Sequence, residues 1–121
     1  MIKLIGRYSL LKHGTYDQAG VYTPTSDYLK GEINYASEGS LSVLILFKPE
    51  IESKKNILSY LGRYEVSSEN ILFHNISLCS QQARNHSAEK RSYFFKDENL
   101  VLGSEMPNGF RFEAVWKKDL G

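Results

Sequence analysis

Short alternations of apolar and polar residues, separated by turn formers, fill this chain almost from end to end. A small chain built of such strands must close its sheet or leave unpaired edges that invite aggregation. A closed sheet of this size encloses an interior, and the side chains lining that interior decide what the molecule can do. The triplet Gly-Arg-Tyr opens two of the segments, at Gly6-Arg7-Tyr8 and Gly62-Arg63-Tyr64, but three shared residues are too few to define a repeat.

The length of 121 residues suits one domain, taken here as 1–121, and a hydrophobic content of 41% supports a core without metals or disulfides. The formal charge is +1, so no excess of either sign points to nucleic acid or to an anionic membrane. Lys54-Lys55, Lys90-Arg91 and Lys117-Lys118 are short and scattered, as solvated faces are. The single cysteine, Cys79, has no disulfide partner and no zinc-ligand spacing around it. It reads as a quiet thiol near a strand end. Met1 to Ile5 is too short for a signal peptide, and no segment approaches the roughly 20 apolar residues of a membrane span. A cytoplasmic protein is expected, in which the sequons at Asn75 and Asn85 carry no meaning.

Eight strands are expected. Arg7 to Lys12 is the first, followed by a polar loop from His13 to about Asp27 that carries Gly14, Gly20 and Pro24. Tyr16, Tyr22 and Tyr28 lie in or beside that loop and suggest that it folds over an apolar mouth. Leu29 to Ala36 alternates, with Gly31, Ile33 and Tyr35 on one face. After a turn at Ser37 to Ser40 comes Leu41 to Phe47, apolar on both faces, as a strand covered on both sides would be. Pro49 to Leu61 shows helical spacing (Ile51, Leu58, Leu61), with Glu50 and Glu52 near its start. Gly62 to Val66, Ile71 to Leu78, Ala88 to Lys96, Leu100 to Ser104 and Phe110 to Lys117 complete the strands. Cys79 to Ser87 between them is polar and reads as a loop. Short connections favour antiparallel neighbours in a meander, so the expected fold is all-β: an eight-stranded antiparallel up-and-down barrel with one short helix near residues 50–60.

Several segments, taken in order, resemble the bacterial lipocalin-like domain family. Leu4-Ile5-Gly6-Arg7-Tyr8-Ser9-Leu10 resembles its opening L-x-G-x-W-x-L. Gly31 to Tyr35 with Glu38 to Val43 resembles G-x-L-x-Y-x-x-x-G-x-M-S-V. Tyr60 to Val66 resembles Y-x-G-x-Y-x-V, and His74, Arg91 to Phe95 and Leu100 to Leu102 resemble H-x-V, R-x-F-x-F and L-x-L. Val115-Trp116-Lys117 resembles the closing x-W-x. Tyr8 stands where the family has tryptophan, and the stretch between Phe47 and Tyr60 is shorter than the family's. The resemblance implies a calycin-type barrel around a small, largely apolar molecule. Some members of the family are enzymes.

Arg91 alternates with Tyr93 and Phe95 and so faces inward, where a guanidinium needs a partner. It is read either as a structural arginine over the aromatic floor near Tyr8 or Trp116, or as an anchor for a ligand carboxylate or enolate. His74 shares a face with Leu72, Ile76 and Leu78. It is read as a hydrogen-bonded core histidine, a polar contact in the cavity, or a general acid/base needing a substrate within about 3 Å. Tyr35 and Tyr93 face inward with phenols that need partners. Trp116 reads as packing, and His13 and His86 as solvated. No metal-ligand spacing, phosphate loop or nucleophile elbow is present, so neither a metal nor a cofactor is expected.

Three functions follow from these residues. The first is a barrel binding a small apolar or aromatic ligand, with Tyr35, His74, Arg91 and Tyr93 as polar fixing points. The second is an enzyme of the same architecture that cyclises, isomerises or hydrates an oxygenated ligand through His74 and Arg91. The third is an interaction module with a filled core. Exposed aromatics would permit a homodimer.

Overall fold

Alternation in the sequence becomes alternation across the wall of a barrel. The structure is a computed structural model that describes residues 4–26, 28–48 and 57–119. Its strands are β1 (Gly6–Tyr16), β2 (Tyr22–Thr25), β3 (Tyr28–Tyr35), β4 (Ser40–Phe47), β5 (Ile57–Ser68), β6 (Ile71–Cys79), β7 (Ser87–Lys96), β8 (Asn99–Glu105) and β9 (Arg111–Lys118), with one 3-10 turn at Gln82–Arg84. Every neighbouring pair is antiparallel, and β1 pairs with β9 from Tyr8↔Lys118 to Tyr16↔Arg111. That pairing closes the sheet, so eight strands (β1 and β3 to β9) form the expected barrel and no long edge is left open.

The ninth strand is β2. It takes over the flank of β1 that β3 leaves: β3 pairs with Gly6 to Ser9, and β2 with His13 to Tyr16. Residues expected to lie in a polar loop are therefore strand. Pro24 is tolerated because β2 pairs with β1 alone among the described residues, leaving its outer side without a ladder. Gly14 is needed because a Cβ there would press into the Tyr22 ring. The connection is made by Asp17, whose Oδ1 accepts the backbone N–H of Ala19 and of Val21, each at 2.9 Å. His13, expected to be solvated, is buried instead, because the longer strand turns it inward opposite Ala114. There its ring lies 4.5 Å from that of Tyr28, its Nε2 accepts the Tyr28 backbone N–H, and its Nδ1 meets the Thr25 hydroxyl.

The expected helix is overturned where it can be followed. Ile57 to Leu61 belong to β5, paired with Leu46 to Ser42 of β4; residues 49–56 lie outside the described residues. Leu58 and Tyr60 point into the barrel while Ile57 and Leu61 stand on its surface, 51% and 55% exposed. The apolar residues on both faces of the segment imitated helical spacing. The greasy outer face of β4 is likewise not covered: Leu44 is 48% exposed, opposite Ser59.

A bulge separates Leu61↔Leu78 from Gly62↔Ile76, leaving Ser77 as the extra residue. It turns Leu78 outward, away from the face of Leu72, His74 and Ile76, and turns Cys79 inward. Gly62 makes the bulge possible, since a Cβ there would fall onto the Asn75 carbonyl oxygen. The β7–β8 connection is a two-residue turn, Asp97-Glu98, with φ of 51° and 68°, the twist that tight hairpins prefer.

The two ends of the barrel differ. At the end carrying the β3–β4, β5–β6 and β7–β8 turns, Leu4, Tyr8, Tyr35, Leu41, Leu72, Tyr93 and Leu100 fill the interior. Tyr8 is fully buried, donates to the Leu4 carbonyl at 2.9 Å and meets Tyr35 edge-on at 6.0 Å. It closes the floor of the barrel. The cation over it is Lys118, whose Nζ lies 5.8 Å from the ring centroid, and not Arg91.

Candidate functional site

The opposite end is hollow. A cavity of about 140 Å³ lies between the inward residues of β3 to β9: Ile33, Val43, Ile45, Leu58, Leu102, Phe112, Ala114 and Trp116 supply an apolar wall. Tyr60, His74, Arg84 and Arg91 supply the polar side. Gly31 admits the Trp116 ring, since a Cβ on it would lie 3.0 Å from Cη2 of the indole.

Of the residues singled out from the sequence, His74 and Arg91 line this cavity together. Tyr35 reaches it only through His74, and Tyr93 does not reach it. Tyr93 sits two residues past Arg91, one step deeper toward the filled end, opposite Leu102.

His74 projects from the middle of β6 between two phenols. Its Nδ1 lies 2.7 Å from the Tyr60 hydroxyl and its Nε2 2.7 Å from the Tyr35 hydroxyl. Burial removes water from the imidazolium, and the positive charge of Arg91 opposes it further. Together they push the pKa of His74 down to about 3. The ring is therefore neutral, with one N–H donor and one acceptor nitrogen.

Burial decides which nitrogen carries the proton. Tyr35 is wholly buried, and His74 is the partner its hydroxyl meets. If Nε2 carried the proton, the Tyr35 O–H would itself have to donate elsewhere in a closed core. The arrangement that satisfies every group has Tyr35 donating to Nε2 and Nδ1–H donating to the Tyr60 oxygen. The Arg91 guanidinium lines the same cavity and can only donate. The Tyr60 oxygen thus accepts from His74, which leaves its own O–H to donate, and Tyr60 lines the cavity. Burial holds the Tyr60 phenol protonated, with its pKa pushed up to about 12 against the opposing pull of Arg91 and Arg84. Burial raises that of Tyr35 well above the ordinary phenol value, the neighbouring Tyr60 adding to it.

Glu89, two residues before Arg91 on β7, gathers the cations. Arg84 grips it through Nε at 2.7 Å and through Nη2, while Arg91 Nη2 lies 2.7 Å from the same carboxylate. Arg84 also lies over the Tyr60 ring, 5.3 Å from its centroid. Burial alone would raise the Glu89 pKa, but the bonds from the two arginines outweigh it and hold the carboxyl below its usual range. Arg84 comes from the 3-10 turn in the segment expected to be an idle loop. Asn85 fixes that segment by accepting the Cys79 backbone N–H at 2.6 Å.

Trp116 is more than packing. Its indole Nε1 is buried with no hydrogen-bond partner among the described residues, and its ring lines the cavity. Sequence reading missed Tyr60, Arg84 and this donor. The alternation Leu58, Tyr60, Gly62, Tyr64 signals that Tyr60 faces inward. No signal in the sequence marks Arg84 or the unpartnered indole. Among the described residues no group of three His, Cys, Asp or Glu side chains could hold a metal ion, and no helix is long and apolar enough to cross a membrane.

No protein-family model matches the chain, and no curated protein matches it. A solved structure of a redesigned β-barrel superposes on it with a TM-score of 0.52, over 98% of this chain and 94% of that one, at 10% identity. That likeness is one of fold, and the chain is an antiparallel β-barrel.

Proposed function

We propose that this barrel is a lipocalin-like binding protein that holds a small, largely apolar molecule in its hollow end. One observation carries the reading: a cavity with a largely apolar wall whose polar side presents Tyr60, Arg84 and Arg91. Apolar walls with a few convergent polar groups are what small-molecule sites are made of. The volume is close to the roughly 150 Å³ of an apolar cavity that takes up benzene, which sets the ligand at about the size of one ring. The ordered set of segments resembling the lipocalin-like family supports the same reading.

Binding is favoured over catalysis by the state of His74. Both of its nitrogens are engaged by phenols, and its pKa near 3 leaves it little basicity at neutral pH. Tyr60, not His74, is the group that would touch the ligand, and His74 positions it. The cavity itself counts against a filled-core interaction module.

Native mass spectrometry of protein purified gently from its host tests the reading. A retained mass of one small organic molecule per chain is expected, lost in Tyr60→Phe. Protein that carries no such mass, and takes up none from a metabolite extract, contradicts it.

A further inference from the structure

We infer that the ligand is a ring-sized organic anion, an aromatic or alicyclic carboxylate or an enolate, held with its charge against Arg91 and Arg84. The inference rests on the binding reading above and names its ligand class.

The charge at the polar side is uneven. Among the described residues two guanidinium groups share one carboxylate, an excess of one positive charge, and the three side chains are only 20 to 24% exposed. Arg84 and Arg91 belong to the cavity lining, whereas Glu89 stands behind them, and no carboxylate is among the lining residues. His74 adds no charge, since burial and Arg91 keep it neutral.

The hydrogen-bonding chemistry points the same way. Arginine N–H groups can only donate. The Tyr60 oxygen accepts from His74, which leaves its O–H to donate. Arg91 spends Nη2 on Glu89 and Nη1 on the Lys90 carbonyl at 3.1 Å, and a guanidinium with five N–H groups retains some for a further acceptor. A polar side that carries two guanidinium groups and no carboxylate among the described lining residues favours an anionic oxygen over a neutral one. The opposite wall is aromatic and aliphatic and has room for about one ring. A long acyl chain does not fit a volume of about 140 Å³.

The test is a calorimetric titration of the unmodified protein near pH 7.5 with three probes of nearly equal size: benzoate, benzamide and toluene. Benzoate is expected to bind at least about tenfold more tightly than benzamide. If benzamide or toluene binds as tightly as benzoate, the anion is wrong while the cavity stands. If none of the three binds, the binding reading falls with it. In Arg91→Gln, or in Arg84→Gln should the first not fold, the advantage of benzoate over benzamide is expected to shrink to about threefold or less. An advantage that persists in the folded variant overturns the assignment of these arginines.

Discussion

His74 ties the interior of this molecule to pH. Burial lowers its pKa from 6.5 to about 3 in the folded chain, while the unfolded chain keeps the ordinary value. Below about pH 6.5 the unfolded state therefore binds a proton that the folded state refuses, and stability falls with pH until about 3. The slope approaches about 1.4 kcal/mol per pH unit. Glu89 adds to the loss only further down, as pH falls through its own lowered pKa. Urea denaturation at pH 7, 6 and 5 is expected to show declining stability, with a flatter profile in His74→Gln. A profile equally steep in the variant would show that His74 is not the titrating group. That His74 and Arg91 face inward was legible from alternation along β6 and β7. Their partners were not, because Tyr60 sat in a stretch whose apolar residues on both faces mimicked a helix and Arg84 in a polar segment with no periodicity. The buried state of His13 was hidden by the same turn formers that made β2 read as a loop.

At the scale of elements, the two faces of each strand carry unequal weight. Leu41 and Leu44 both lie in β4, the first buried and the second half exposed. Leu41→Ala is expected to cost about 2–5 kcal/mol, and Leu44→Ala within about 0.5 kcal/mol, by thermal or chemical denaturation. Similar costs for the two would mean that the outer face is covered. Gly62→Ala places a methyl against the Asn75 carbonyl in the β5–β6 bulge and is expected to cost about 1–3 kcal/mol. The β7–β8 turn offers the opposite change. Glu98 occupies a left-handed conformation, φ 68°, at an exposed position, so Glu98→Gly is expected to stabilise by about 1 kcal/mol. Strand existence and order were readable from alternation and turn residues, and Asp97-Glu98-Asn99 read as a turn without difficulty. Bulges were not readable, because a bulge shows in sequence only as a break in alternation, and Leu78 continued the pattern of apolar residues past the point where the strand had turned over.

For the whole molecule, closure is what creates a binding site, and the asymmetry between the two ends is what leaves it open. Tyr8, Tyr35, Tyr93 and Leu100 consume the interior at one end, while the small Ala114 at the other leaves space that Trp116 and Phe112 do not fill. Barrel closure followed from connections that are mostly short and favour antiparallel neighbours in a meander. Whether the inward residues would fill the barrel could not be read from a list of side chains, since a few small residues at one level decide it. The central claim is therefore the hollow itself. Diffraction from crystals pressurised with xenon tests it most directly, because an apolar cavity of this volume takes up the gas. A xenon atom is expected among Ile45, Leu58, Leu102 and Ala114 with the barrel otherwise unchanged. An interior with no xenon, filled by side chains at that level, would contradict it.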